Sequence, residues 1–254
     1  MNRKKVVEAF QNYVAAYNPS DPKIRLKIDH TYRVAALCGR IAASVGADED
    51  LAWLCGMFHD IGRFEQVKRY NTFVDSQSVD HAELSHTLLF RDGLLNSFSP
   101  DLTESSRNLL EKAVAFHSLY RLPADLTDEE LAYCRILRDA DKIDIFRVNC
   151  DTPLEDIYNV TTEELQSAAV SDAVKACFFN RTAVRRDLRV SAIDFVVGHI
   201  CLVFELVYPI SKEIAKEQGY VEKLLSFQSR NEETESWFAY MREHIWDEIP
   251  TEKE

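Results

Sequence analysis

Apolar residues recur three and four positions apart along most of this chain, the spacing that keeps one helix face out of water. Residues 3–17 predict a first helix, stopped by Asn18-Pro19-Ser20-Asp21-Pro22. The stripe Val34, Leu37, Ile41, Val45 predicts a second over about 28–45, with Gly46 just past its end. Asp48 is placed to cap a third, which carries Leu51, Leu54 or Cys55, and Phe58, and ends at Gly62. Residues 63–78 are polar and aromatic without a clear period, so a long loop is expected there. Helices are expected again over about 80–95 and 103–117. Thr127-Asp128-Glu129-Glu130 has capping-box spacing and opens one through about Phe146. Beyond Asn149, residues 162–176 and 181–207 read as helical, and Pro209 breaks the second of these.

Composition agrees with that pattern. Only seven Gly and seven Pro occur in 254 residues, well under an ordinary combined usage of roughly 12%. An all-α fold is expected, with no repeat and no Gly/Ser linker. The net charge of −12 gives no positive field for long nucleic acid, so none is expected as a partner. No window reaches the roughly 18 apolar residues of a membrane span, and no signal peptide is evident. Six cysteines lie far apart with no Cys-x-x-Cys pair, which favours reduced thiols and a cytoplasmic protein. Ile193, Val197, Ile200, Phe204 and Val207 alternate four and three apart; packing on the chain's own core or a homodimer seam both fit.

Polar residues intrude on the apolar stripes at particular places. His30 lies four before Val34, His117 three after Val114, and Asp141 four after Leu137. His81 shares a face with Leu84 and Leu88, and His59-Asp60 follows Phe58. A buried ionised carboxylate costs several kcal/mol unless a cation or strong hydrogen bonds compensate. One inward His is ordinary core. Four inward His and two Asp over consecutive helices suit a divalent ion such as Fe, Mn, Zn or Ni, and are enough ligands for two.

The ordered set His30, His59-Asp60 within His59-Asp60-Ile61-Gly62, and Asp141 within Leu137-Arg138-Asp139-Ala140-Asp141-Lys142 resembles the HD superfamily of metal-dependent phosphohydrolases. His81 and His117 fall where dinuclear members carry two extra histidines. The resemblance covers about residues 25–147. It implies a helical HD core with C-terminal helices, about 150–248, packed on it as one domain. His30, His59, Asp60 and Asp141 would hold a first metal, and Asp60 would bridge to a second held by His81 and His117. Two ions are implied, with Mg joining the candidate metals. Hydrolysis of a small phosphorylated, nucleotide-like substrate by an activated water is the expected chemistry.

Further residues have candidate roles beside that set. Arg63 stands where cyclic-dinucleotide phosphodiesterases of the superfamily commonly carry Lys, and a guanidinium there suits a phosphate. Lys142 could pair with Asp139, Asp144 or substrate, and the 63–78 segment could cover the site. His86 reads as a surface residue, His199 as core, and Arg181, Arg185 and Arg189 as a salt-bridged helix stripe. The Gly-Tyr-Pro signature of the cyclic-dinucleotide branch is missing, which demotes that substrate. Two other readings stay open: a dinuclear iron oxygenase on the same ligands, and a metal-containing binding or sensor domain without turnover.

Overall fold

The computed structural model describes residues 1–99, 101–153 and 160–247. Among them all regular structure is helical and no strand occurs. The chain divides into two compact units, Met1–Asp141 and Lys142–Glu254. The division falls inside a helix rather than in a linker. No helix of the described residues is long and apolar enough to cross a membrane.

The first unit contains α1 (Arg3–Val14), α2 (Pro22–Val45), α3 (Glu49–Phe58), α4 (Gly62–Tyr70), α5 (His81–His86), α6 (Leu94–Phe98) and α7 (Glu104–Phe116), and ends within α8 (Asp128–Asp151). Helix α2 begins earlier than the stripe predicts. The Asp21 carboxylate accepts from the Lys23 N–H, and Pro22 fills the first turn, where its missing N–H costs nothing. The extra turns place Ile24 and Lys27 on the helix.

The first half of the loop expected over 63–78 is a helix. Phe64 and Val67 of α4 are buried one turn apart, and Asn71 closes the helix in the left-handed region at φ 54°. Lys68 and Arg69 lie on its outer face, while the polar Gln66 is buried, and that mixture hides the period. Only 71–80 remains a connector, with a single 3₁₀ turn at Asp75–Gln77. The helix expected over 80–95 is instead α5 continuing into a π-type turn at Thr87–Arg91, then a break at Gly93 before α6.

Helix α1 is held to the rest of its unit by rings and hydroxyls. Phe10 is fully buried and meets Tyr32 and Phe64 edge-on. Tyr13 packs on Phe64 and Phe98 and donates to the Ile61 carbonyl. Tyr17 donates to Glu65 at 2.7 Å.

The second unit holds the rest of α8, then α9 (Thr162–Ser167), α10 (Asp172–Phe179), α11 (Ala192–Ile200), α12 (Pro209–Gln218), α13 (Tyr220–Leu225) and α14 (Glu232–His244). Residues 154–159 and 248 of the expected C-terminal extension lie outside the described residues. The helix expected over 162–176 is two helices, α9 and α10. The one expected over 181–207 is also corrected. Arg181 adopts φ 53°, a 3₁₀ turn covers Arg186–Leu188, and Ser191 and Asp194 form a capping box that opens α11. The arginines therefore make no helical stripe: Arg181 lies over Phe178 and Phe204, and Arg185 pairs with Asp187. Ile193, Val197 and Ile200 are buried in this unit's core.

Candidate metal centre

Five chain segments of the first unit converge on one point. His30 comes from α2, one turn after Lys27. His59 and Asp60 follow the last turn of α3. His81 opens α5, His117 caps the C-terminus of α7, and Asp141 lies within α8. Two glycines allow the close approach. A Cβ on Gly56 would sit 2.5 Å from the Ala35 Cα, so α3 lies directly against the α2 backbone. A Cβ on Gly62 would sit 2.6 Å from the Ser85 nitrogen, and the Gly62 N–H instead donates to Ser85 Oγ at 2.9 Å. That contact holds α5, the helix that carries His81, against Gly62.

Asp60 is the hub. Its Oδ2 lies 3.6 Å from His30 Nε2 and 3.5 Å from His59 Nε2. Its Oδ1 lies 3.6 Å from His81 Nε2 and 3.8 Å from His117 Nε2. The two imidazole pairs face each other closely, with His30 and His59 Nε2 3.2 Å apart and His81 and His117 Nε2 3.1 Å apart. Asp141 Oδ1 is 3.2 Å from His30 Nε2 and 3.7 Å from His59 Nε2. Asp60 and all four histidines are buried. Two groups of side chains could thus each hold a metal ion: His30, His59 and Asp60, and Asp60, His81 and His117.

Protonation favours ligation. Burial holds His59, His81 and His117 below the usual imidazole range, His117 down to about 4. Burial pushes Asp60 the other way, but Lys27, His59 and Arg63 outweigh it and keep the carboxyl well below its ordinary range. Asp141 is likewise pushed up by burial and brought down further by the hydrogen bond from His30 and by His59. Neutral imidazoles beside ionised carboxylates are the forms that bind a divalent cation.

The partners of the distal nitrogens fix the tautomers. His59 Nδ1 is 2.8 Å from the Gly56 carbonyl, and His117 Nδ1 is 2.8 Å from the Val114 carbonyl. His81 Nδ1 is 2.8 Å from Asp75 Oδ2. All three partners accept, so each Nδ1 carries the hydrogen and each Nε2 points a bare lone pair inward. Asp60 Oδ1, buried beside them, has no hydrogen-bond partner. Unprotonated acceptors gathered this way out of water call for a cation, so the donor set fits a divalent ion.

Sequence reasoning missed three residues here. Lys27 Nζ donates to Asp60 Oδ2 at 2.5 Å. Asp75 orients His81 in the carboxylate–histidine manner that stiffens metal ligands. Gln66, fully buried, donates to Asp75, Ser78 Oγ and the Val79 carbonyl, which straps the 71–80 connector down. For Lys27, its place one turn before His30 was the available signal. Asp75 and Gln66 left none, since connector geometry decides their contacts.

The other candidates are placed as follows. Arg63 spends Nη1 on Gln66 Oε1, the Phe73 carbonyl and Asp75 Oδ1, while its Nε faces Asp60 Oδ1 at 3.6 Å. Lys142 is turned about 100° around α8 from Asp141 and pairs with Glu205 at 3.4 Å. His86 is half-buried beside Glu111, at 2.8 Å. A cavity of about 500 Å³ is lined by Asp80, Glu83, His86 and Glu111 among others and by none of the six His and Asp residues, so it is separate from the centre.

Residues 28–145 match the family model of the HD domain, and this part of the chain is an HD domain. The matched span runs from just before His30 to just past Asp141. No curated protein and no solved structure matches the chain.

Proposed function

We propose that this HD domain is a metal-dependent phosphohydrolase acting on a small phosphomonoester or phosphodiester, nucleotide-like in character. His30, His59, Asp60 and Asp141 would hold one divalent ion, and Asp60, His81 and His117 a second. Such ions supply a water acidified toward neutrality and positive charge against the phosphoryl oxygens. The chain's own residues do the rest. Asp60 offers one carboxylate oxygen to each imidazole pair. Asp75 and the Gly56 and Val114 carbonyls hold the rings in the ligating tautomer. Arg63, with Nε turned toward Asp60 Oδ1, is the guanidinium best placed to meet a phosphate near the centre. The six cysteines, all free, support a cytoplasmic setting.

The observation that carries this reading is the buried, unpartnered Asp60 Oδ1 between two bare imidazole nitrogens, inside an HD domain. Asp60→Ala is expected to cut Mn²⁺-dependent hydrolysis of p-nitrophenyl phosphate and bis(p-nitrophenyl) phosphate by about a thousandfold or more. Wild-type rates in that variant would overturn the reading.

A further inference from the structure

The two halves of the centre are not in the same electrostatic condition. On the Asp60 Oδ2 side a cation is already present: the Lys27 ammonium, itself buried, sits 2.5 Å from that oxygen. His30 Nε2 lies 3.2 Å from both His59 Nε2 and Asp141 Oδ1, so one imidazole hydrogen there can serve two acceptors. That side is internally satisfied.

On the Oδ1 side the nearest cation is Arg63, whose Nε stands off at 3.6 Å while its Nη1 is paired with Asp75 at 2.9 Å. His81 spends its hydrogen on Asp75, and His117 spends its own on the Val114 carbonyl. Two bare nitrogens 3.1 Å apart therefore face a carboxylate oxygen with no hydrogen-bond partner. Arg63 Nε, at 3.6 Å, is too far to donate to it and likewise has no hydrogen-bond partner.

From this asymmetry we propose that the centre loads in a set order: the first, tight divalent ion goes to Asp60 Oδ1, His81 and His117, and the ion at His30, His59 and Asp141 binds second and more weakly because Lys27 opposes it. The physical cause is twofold. An ion on the Oδ1 side relieves lone-pair crowding that no hydrogen relieves, and displaces no partner. An ion on the Oδ2 side must share its oxygen with an ammonium bonded to it at 2.5 Å, whereas the Arg63 cation stands 3.6 Å from Oδ1 with its charge paired to Asp75, so like-charge repulsion is stronger on the Oδ2 side. Lys27 is thus a positioning residue that grades the two sites. The inference rests on the two-ion reading above, and the order of filling is its own claim.

Isothermal titration of chelator-stripped protein with Mn²⁺ tests it, with circular dichroism to confirm that each variant is folded. Wild type is expected to bind two ions in two phases. His117→Ala should lose the tight phase, while His30→Ala should keep it. Lys27→Met should tighten the weak phase by about tenfold or more and leave the tight phase within about twofold. Two phases with the tight one lost in His30→Ala, or a weak phase that loosens in Lys27→Met, would overturn the order while leaving the two-ion reading standing. A single ion that His117→Ala removes and His30→Ala retains would keep the preference for the Oδ1 side and end the two-ion reading. A single ion that only His30→Ala removes would end both, as would a folded wild type that binds none.

Discussion

Asp60 and Asp194 are both buried, one in each unit of this protein, and the two could hardly be more different. Asp194, in the second unit, is fully buried and completely partnered. Its Oδ1 accepts from the Ser171 N–H at 2.9 Å, and its Oδ2 accepts from Val190 and Ser191 at 3.0 and 2.9 Å. It closes a helix start and ties α11 to the segment before α10. Asp60, in the first unit, has one oxygen bonded to Lys27 and the other without a hydrogen bond. Burial alone therefore does not mark a functional carboxylate. The count of its satisfied lone pairs does, because a fold that serves only stability leaves few such acceptors unmet.

Substitutions can set this contrast against measurement. Asp194→Ala strands three backbone N–H groups, and a loss of about 3 kcal/mol or more in urea unfolding is expected, with Mn²⁺ stoichiometry unchanged. Altered metal binding in a folded Asp194→Ala protein would blur the distinction.

Acid is next in size. His117 falls to about 4 in the folded chain against an ordinary 6.5, so the unfolded chain takes up its proton first as pH drops. The metal-free protein should hold this contribution above pH 6.5 and lose it progressively toward pH 4. That amounts to up to about 3 kcal/mol, read as a falling urea midpoint. A midpoint that stays flat between pH 7 and 4.5 would contradict a buried neutral His117.

Asp75→Asn should give the smallest change. It keeps a hydrogen-bond acceptor for His81 and removes the charge, so metal affinity should drop by about 10- to 100-fold with little change in melting temperature.

What could be read from the sequence follows the same division. The helical class, the HD motif and the gathering of His30, His59, Asp60, His81, His117 and Asp141 were legible because inward polar residues interrupt an apolar period, and that period is local. Helix α4 was not, because Phe64 and Val67 are the only large apolar residues on its buried side, which they share with the polar Gln66, while Glu65, Lys68, Arg69 and Tyr70 face out or to the side. The long helix read over 181–207 was an error of the opposite kind. Its apolar spacing is real, but Arg181 in the left-handed region and the Ser191–Asp194 box break the backbone where periodicity is blind. Lys27 and Asp75 act through contacts made in space. Lys27 meets a residue 33 positions away, and Asp75 reaches His81 only because Gln66 and Arg63 fold the connector beneath it.

The likeness to the HD domain begins at residue 28, yet the body that carries the centre begins with α1. Phe10, Tyr13 and Tyr17 all lean on Phe64, two residues past Gly62, and Tyr13 grips the Ile61 carbonyl within the His59-Asp60-Ile61-Gly62 tetrapeptide itself. A protein trimmed to its recognisable span would keep all six His and Asp residues of the centre and lose the clasp behind them. Recognition and mechanical integrity have different borders here, and anyone choosing where to cut should follow the second.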